Sequence, residues 1–464
     1  MSESTSVPSA PRYVRRARAK VFTAAVVLPI SAPAVMNGSV AVIAGKVAHV
    51  GTREWVLEAL AEDGIEYAEY HWEGALLPGL VNAHTHLQYT HMEEVGAVQY
   101  GGFWEWSHAF GVVYDSTDPE VAARTQDWGE AAADGCQRSL RAGVTAAADV
   151  VTDMPALSAL EDAGMHGIAY WEVFDFSNAT WAEYGKTSTR AVLGDAWISN
   201  LGLSPHAPYS LATNPLLEVP DMARKRNMRI HIHLGEDPAE GEQEPDSSLP
   251  RWIMNAEAGT DDDWPSFGSL KAAGRRVSAT RFVDRLGLLG PDCHIAHGIY
   301  LGADDRARLR LRGTAVALCP RSNKVIGLDE APVAAYLTEG NRIAVGTDSL
   351  SSSPSLDLMS DVAELYRIAR SQGYSSDDLP MRLLHAATLG GAEAMGMGSG
   401  KTRIGQLSVG AAADLCFLEL SSEAATSHSA KKAMFELVTA GGGRCAATVL
   451  SGHIVYGEEK LELA

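Results

Sequence analysis

The chain has 464 residues, 46% hydrophobic and 21% charged, enough to bury a large core, which excludes a fibrous, collagenous or wholly disordered protein. Its formal net charge is −20 at pH 7, so the surface field repels polyanions and makes nucleic acid and anionic membrane poor partners. The five cysteines, Cys136, Cys293, Cys319, Cys416 and Cys445, are scattered and form no CxxC pair; this points to a reducing compartment, the cytoplasm, rather than a disulfide framework.

In chain order, residues 1–19 are rich in Ser, Pro and Arg and read as a mobile tail. Arg15 and Arg16 precede an apolar run over 21–30 in a loose imitation of a twin-arginine export signal. Pro29 interrupts that run and a strand, turn and strand pattern follows over 38–47, so the run reads as a β-strand. No other stretch approaches the roughly 20 apolar residues of a membrane span. Strand-and-turn texture fills 20–77 and returns over 401–464, the two parts of one small β-sandwich domain built from both chain ends. Between them, 78–400 alternates short apolar strands with helical stretches, the signal for parallel βαβ units. Candidate strands lie at 80–84, 143–150, 167–174, 201–206, 229–234, 293–297, 314–319 and 342–347, the number an α/β (β/α)8 TIM barrel requires. The spacing predicts helices over 120–142, 278–288 and 356–369. An open doubly wound sheet competes, but no GxGxxG follows the first strand. The connection over 236–273 is long and acidic; it reads as a solvated insertion, with a lid over the barrel mouth as the alternative.

His84 and His86 end the first strand, and an HxH on extended backbone places both imidazoles on one side. The fifth strand ends in His231, Ile232, His233, Leu234, Gly235 and Glu236, the sixth in His294 and His297, and the eighth in Asp348. Histidines and a carboxylate at the C-terminal ends of four barrel strands converge on one mouth. His231 reads as packing on the far side of its strand from His233. His91, His108, His166, His385 and His453 fit no pattern and read as surface or satisfied core histidines. His71, Trp72 and Glu73 imitate the HxE of the cytidine-deaminase class, but no PCxxC follows. Trp104 and Trp106 read equally as core aromatics or as a wall for a planar heterocycle near Gln88 and Tyr89.

The run PGLVNAHTH over 78–86, His233 with Glu236, His297, Asp348 and the closing GQLSVGAAADL over 405–415 resemble the amidohydrolase superfamily across nearly the whole chain. Within it the chain is similar to the branch of chlorotriazine hydrolases and cyclic-amidine deaminases. The resemblance implies that His84, His86, His233 and Asp348 are metal ligands. It makes Glu236 the carrier of the attacking water's proton to the departing nitrogen, His297 a charge-stabilising partner, and Asp348 both ligand and proton relay. Binuclear members carry a lysine at the end of the fourth strand, where this chain has Ser204, Pro205 and His206. One divalent ion is therefore implied, zinc first, with iron and manganese also suited to a His₃Asp set. His206 resembles a substrate-contacting position, and Gln88 and Trp104 fall in the loop after the first strand as further substrate contacts. The segment Cys319 to Asn323 resembles the CPxSN segment of nucleoside-type deaminases, which adds Arg321, Ser322 and Asn323; a plain turn is the alternative. An arginine at the mouth suggests a carboxylate on the substrate. The expectation is hydrolytic deamination of an adenine-containing nucleoside with release of ammonia. Aminodeoxyfutalosine, of menaquinone biosynthesis, stands first, and S-adenosylhomocysteine, adenosine or guanine second. Dechlorination of an s-triazine is the competing chemistry, and a noncatalytic barrel scaffold the non-enzymatic reading. A homodimer is the default assembly.

Overall fold

The computed structural model describes residues 18–195, 198–242 and 265–464. The tail with Arg15 and Arg16, and the part of the acidic connection over 243–264, lie outside the described residues.

Four strands open the chain: β1 (Arg18–Val27), β2 (Val35–Ile43), β3 (Lys46–Thr52) and β4 (Glu66–Pro78). The apolar run near the N-terminus is thus a strand, β1. Eight more follow: β5 (Leu80–Thr85), β6 (Val144–Val151), β7 (His166–Val173), β8 (Leu201–Pro205), β9 (Ile230–Leu234), β10 (Cys293–His297), β11 (Ala315–Leu318) and β12 (Ile343–Val345). The chain closes with β13 (Leu415–Leu418), β14 (Cys445–Leu450), β15 (His453–Tyr456) and β16 (Glu462–Leu463).

Strands β5 to β12 pair in sequence order, each parallel to the next. Each presents a nearly uninterrupted buried run, such as β6, in which every residue is buried, as expected where both faces of a parallel sheet are covered. The seam between β12 and β5 closes through side chains. Asn82 donates from Nδ2 to Thr347 Oγ1 at 2.8 Å and accepts at Oδ1 from the Thr347 N–H at 3.1 Å. The Asp348 N–H donates to the His84 carbonyl at 3.0 Å. The same bonds that close the (β/α)8 barrel therefore set Asp348 beside His84.

The other strands form one mixed sheet in the order β15-β14-β13-β4-β1-β2-β3, with β16 also on β4. Both chain ends meet on β4, which takes β1 parallel and β13 antiparallel. The core of this sheet joins Phe22, Leu76, Leu415, Phe417 and Val449, with Phe22 and Phe417 edge to face at 5.6 Å. Only Gly79 separates β4 from β5, and a Cβ there would stand 2.1 Å from Thr145 Oγ1, so the link between the two sheets admits no side chain.

The helix expected over 120–142 is two, Pro119–Thr125 and Trp128–Arg141. The break falls at Asp127, whose carboxylate accepts from the Glu130 N–H at 3.1 Å and so caps the second helix. The other two predicted helices appear as Ala279–Arg285 and Leu358–Ser371. No helix among the described residues is long and apolar enough to cross a membrane.

Candidate active site

Barrel strands deliver the polar side chains to one mouth. His84, in β5, is fully buried and its ring stands at 84° to that of His86, centroids 5.0 Å apart. The Nε2 atoms of His86 and of His233, from β9, face each other at 3.3 Å. Asp348 places Oδ1 3.5 Å from His84 Nε2 and 3.7 Å from His86 Nε2. Ligand atoms of His84, His86 and Asp348 lie within 4.8 Å of one another, as do those of His84, His233 and His297. Burial lowers His84, takes His86 to about 3 and holds His233 well below the usual imidazole range, leaving neutral rings, the form that ligates metal. Burial alone would raise the Asp348 carboxyl, but His84 and the imidazoles around it hold it well below the usual range. The Nε2 atoms of His84 and His297 are buried with no hydrogen-bond partner among the described residues. Opposed, unpaired ring nitrogens around a carboxylate fit a divalent cation and leave little else to satisfy them.

Glu236 follows β9 through Gly235, whose φ of 69° turns the chain back over the mouth. A Cβ on Gly235 would come within 2.6 Å of Leu301. Oε2 of Glu236 accepts from the Tyr209 hydroxyl at 2.7 Å, and Oε1 lies 3.5 Å from His297 Nε2. Burial raises the Glu236 carboxyl. His297 and Asp348 both hold left-handed backbone, with φ of 70° and 60°, which costs a residue with a side chain about 1–2 kcal/mol. This strain sits where the reacting groups are aimed.

Several expectations about substrate contacts require correction. Arg321 is half-buried and paired with the buried Asp361; its guanidinium also donates to Ser355 Oγ and to the Ser355 and Asp357 carbonyls. Four of its five N–H groups are thus taken by partners within the chain. Ser322 donates to Asp348 Oδ2 at 2.7 Å, and Asn323 Oδ1 accepts from His297 Nδ1 at 3.1 Å, so both hold site residues. Gln88 is buried with its amide saturated. Oε1 accepts from the Thr152 and Asp153 N–H groups, and Nε2 donates to Thr152 Oγ1 and Asp153 Oδ2. Trp104 is 58% exposed, whereas its neighbour Phe103 packs on Tyr209 at 5.7 Å and Trp106 donates from Nε1 to the Ser351 carbonyl at 2.8 Å. His231 does not point away from His233. It lies inside the barrel with Nε2 3.1 Å from His84 Nδ1, because residues two apart on a strand share a face. At the start of the acidic connection Glu236, Asp237 and Glu240 are buried, whereas Glu242 is exposed.

His206 stays at the mouth, half-buried, with its ring 4.7 Å from that of His233 and its Nδ1 2.7 Å from Ser210 Oγ. Burial takes it to about 3. Two further residues join the site unannounced. Tyr209 bonds Glu236, and Glu172, near the end of β7, brings Oε1 within 3.6 Å of His233 Nδ1. Burial, reinforced by Asp348 and Glu236, pushes the Glu172 carboxyl well up. A lone carboxylate in the apolar run of β7 is the signal that could have found it.

The amidohydrolase family model matches residues 75–455. A 5-methylthioadenosine/S-adenosylhomocysteine deaminase of Syntrophobacter fumaroxidans is 30% identical over 396 residues, covering 82% of this chain and 80% of that protein. Among solved structures, an adenosine deaminase from Xanthomonas campestris with bound zinc superposes with a TM-score of 0.71 at 24% identity, over 96% of this chain and 94% of that one. The aminofutalosine deaminase of Helicobacter pylori, in complex with methylthio-coformycin, gives 0.74 at 17% identity, over 94% of this chain and all of that one. The two structures share the fold. With the family model spanning the whole barrel and strands β13 and β14 of the second sheet, the chain belongs to the amidohydrolase family and is a hydrolase.

Proposed function

We propose that this hydrolase is a metal-dependent deaminase of adenine nucleosides, releasing ammonia from the ring carbon that bears the amine. The observation that carries the reading is Glu236, a buried carboxyl bonded by Tyr209 on one oxygen and facing His297 with the other. His84, His86, His233 and Asp348 would hold one divalent ion, for which three imidazoles and a carboxylate suit zinc. Bound there, the ion supplies a water acidified toward neutrality.

Glu236 accepts the proton of the attacking water on Oε1 and passes it to the departing amine, tasks suited to a carboxyl whose pKa burial has raised. Tyr209 fixes the other oxygen, so the rotamer that receives the proton is also the one that delivers it. Asn323 orients His297 so that Nε2 faces the proton in transit. Ser322 and Ser352 donate to Asp348 Oδ2 and leave Oδ1 turned toward the histidines. Ammonia needs protonation to leave and chloride does not, so a built proton carrier favours amine departure over dechlorination. The deaminase named among the relatives supports the same chemistry. With Arg321 occupied by Asp361, a substrate carboxylate is not required, and the proposed class is adenine nucleosides varied at the 5′ position.

The test is ammonia release by purified, zinc-loaded protein from adenosine, 5-methylthioadenosine, S-adenosylhomocysteine, aminodeoxyfutalosine, guanine and a chlorotriazine. Turnover of adenine nucleosides is expected. Chloride release from the triazine with none of the nucleosides deaminated would sink the reading.

A further inference from the structure

Below the mouth the barrel interior carries a second tier of polar rings that the proposed chemistry does not use. His231 is fully buried, with Nε2 3.1 Å from His84 Nδ1 and the two ring planes 16° from parallel. His294, from β10, meets the His231 ring edge on at 4.5 Å and donates from Nε2 to the Ala83 carbonyl at 3.0 Å. Tyr170, from β7, stands 5.5 Å from both rings. The tier braces β5 at the residue before His84 and at His84 itself.

Two ring nitrogens at hydrogen-bond distance share one proton. His84 turns Nε2 toward Asp348 and the other site histidines, and a neutral imidazole that gives Nε2 to a cation carries its hydrogen on Nδ1. Nδ1 is then the donor and His231 Nε2 the acceptor, which places the hydrogen of His231 on its own Nδ1. Nδ1 of His231 has no hydrogen-bond partner among the described residues, so the one unsatisfied N–H of the pair sits on His231; an apolar side chain of the same volume would move it onto the ligand ring of His84 itself.

From this geometry we infer that His231 is a positioning residue of the metal centre: by accepting the Nδ1 hydrogen of His84 it fixes the tautomer and the ring plane with which His84 meets the ion. The inference rests on the reading of His84 as a metal ligand and goes beyond it, because His231 touches neither ion nor substrate.

Zinc affinity of the apoprotein, measured by chelator competition without reference to turnover, tests it. His231→Phe keeps a ring and removes the acceptor, and should bind zinc about 10- to 100-fold more weakly. His231→Gln offers an amide oxygen near the place of Nε2 and should recover most of that loss. Wild-type affinity in the Phe variant overturns the inference, and so does a Gln variant as weak as Phe. The ¹⁵N shifts of the zinc-loaded wild type give a measurement independent of how the variants fold: His84 should be protonated at Nδ1 and His231 unprotonated at Nε2, and the reverse overturns the proposal. His84→Ala separates the two readings. If it binds zinc like the wild type, the metal centre itself is misplaced; if it does not while His231→Phe does, only the role of His231 falls.

Discussion

Arg321, half-buried, pairs with the fully buried Asp361, the guanidinium donating from Nε and Nη2 to Oδ2 of the carboxylate at 3.0 and 2.8 Å. The Arg321 N–H reaches Oδ1 at 3.3 Å. The pair ties the segment after β11 to the helix Leu358–Ser371, and its neighbours on that segment, Ser322 and Asn323, reach Asp348 and His297. Arg321→Met leaves a buried carboxylate without its partner, and unfolding stability should fall by about 3–5 kcal/mol. Any loss of kcat/KM in the folded variant should be the same for nucleosides with and without a carboxylate. A loss confined to carboxylate-bearing substrates would show that the guanidinium reaches the ligand after all.

Glu236→Gln keeps the shape of the side chain and its contact with Tyr209 but removes the basic oxygen. Turnover should drop by about 10² or more, while zinc content by elemental analysis stays at the wild-type level. Tyr209→Phe should cost about tenfold or more, since it deletes a hydrogen bond to a carboxylate. Loss of zinc from the Gln variant would place Glu236 among the ligands instead.

Phe103, and not its neighbour Trp104, is seen to pack against a residue of the candidate site. Phe103 packs on Tyr209, the residue that holds Glu236, and its removal takes away an aromatic contact of the kind worth about 0.5–1.5 kcal/mol. Phe103→Ala should raise KM by roughly two- to tenfold. Trp104→Ala, at a position 58% exposed, should stay within about a factor of two, as surface substitutions do. A larger effect at Trp104 than at Phe103 in steady-state kinetics would reverse the assignment.

The barrel was legible because parallel strands are buried on both faces and leave apolar runs, and because the reactive residues ride at their C-terminal ends. His84, His86, His233, Glu236, His297 and Asp348 come together as their strand positions require. The direction of Arg321 was not legible, since it depends on Asp361, 40 residues later, and an arginine beside a site reads alike whether it faces inward or back. Gln88 misleads in the same way, its partners Thr152 and Asp153 lying on the next barrel loop. His231 is a different case. The alternation that put His84 and His86 on one face also puts His231 with His233, and applied consistently it finds the inner tier. Asp127 likewise carried a capping signal that divides the long helical stretch.

His166 Nε2 lies 3.2 Å from Asp414 Oδ2 and 3.2 Å from Ser451 Oγ, joining the start of β7 to the mixed sheet. Burial would lower its pKa, but the hydrogen bond and charge of Asp414 outweigh burial and hold it above the ordinary value. A base raised on folding binds its proton more tightly in the native state. Its stabilising contribution is therefore complete below the unfolded pKa near about 6.5 and is lost as pH rises through the folded value. In His166→Gln the amide can still donate to Asp414 but no longer titrates. Urea unfolding of both proteins from about pH 6 to about pH 8 should show the wild type losing stability relative to the variant across that window. A difference that stays flat, or that grows in favour of the wild type toward alkaline pH, would mean that the contact with Asp414 does not depend on the charge of the imidazole.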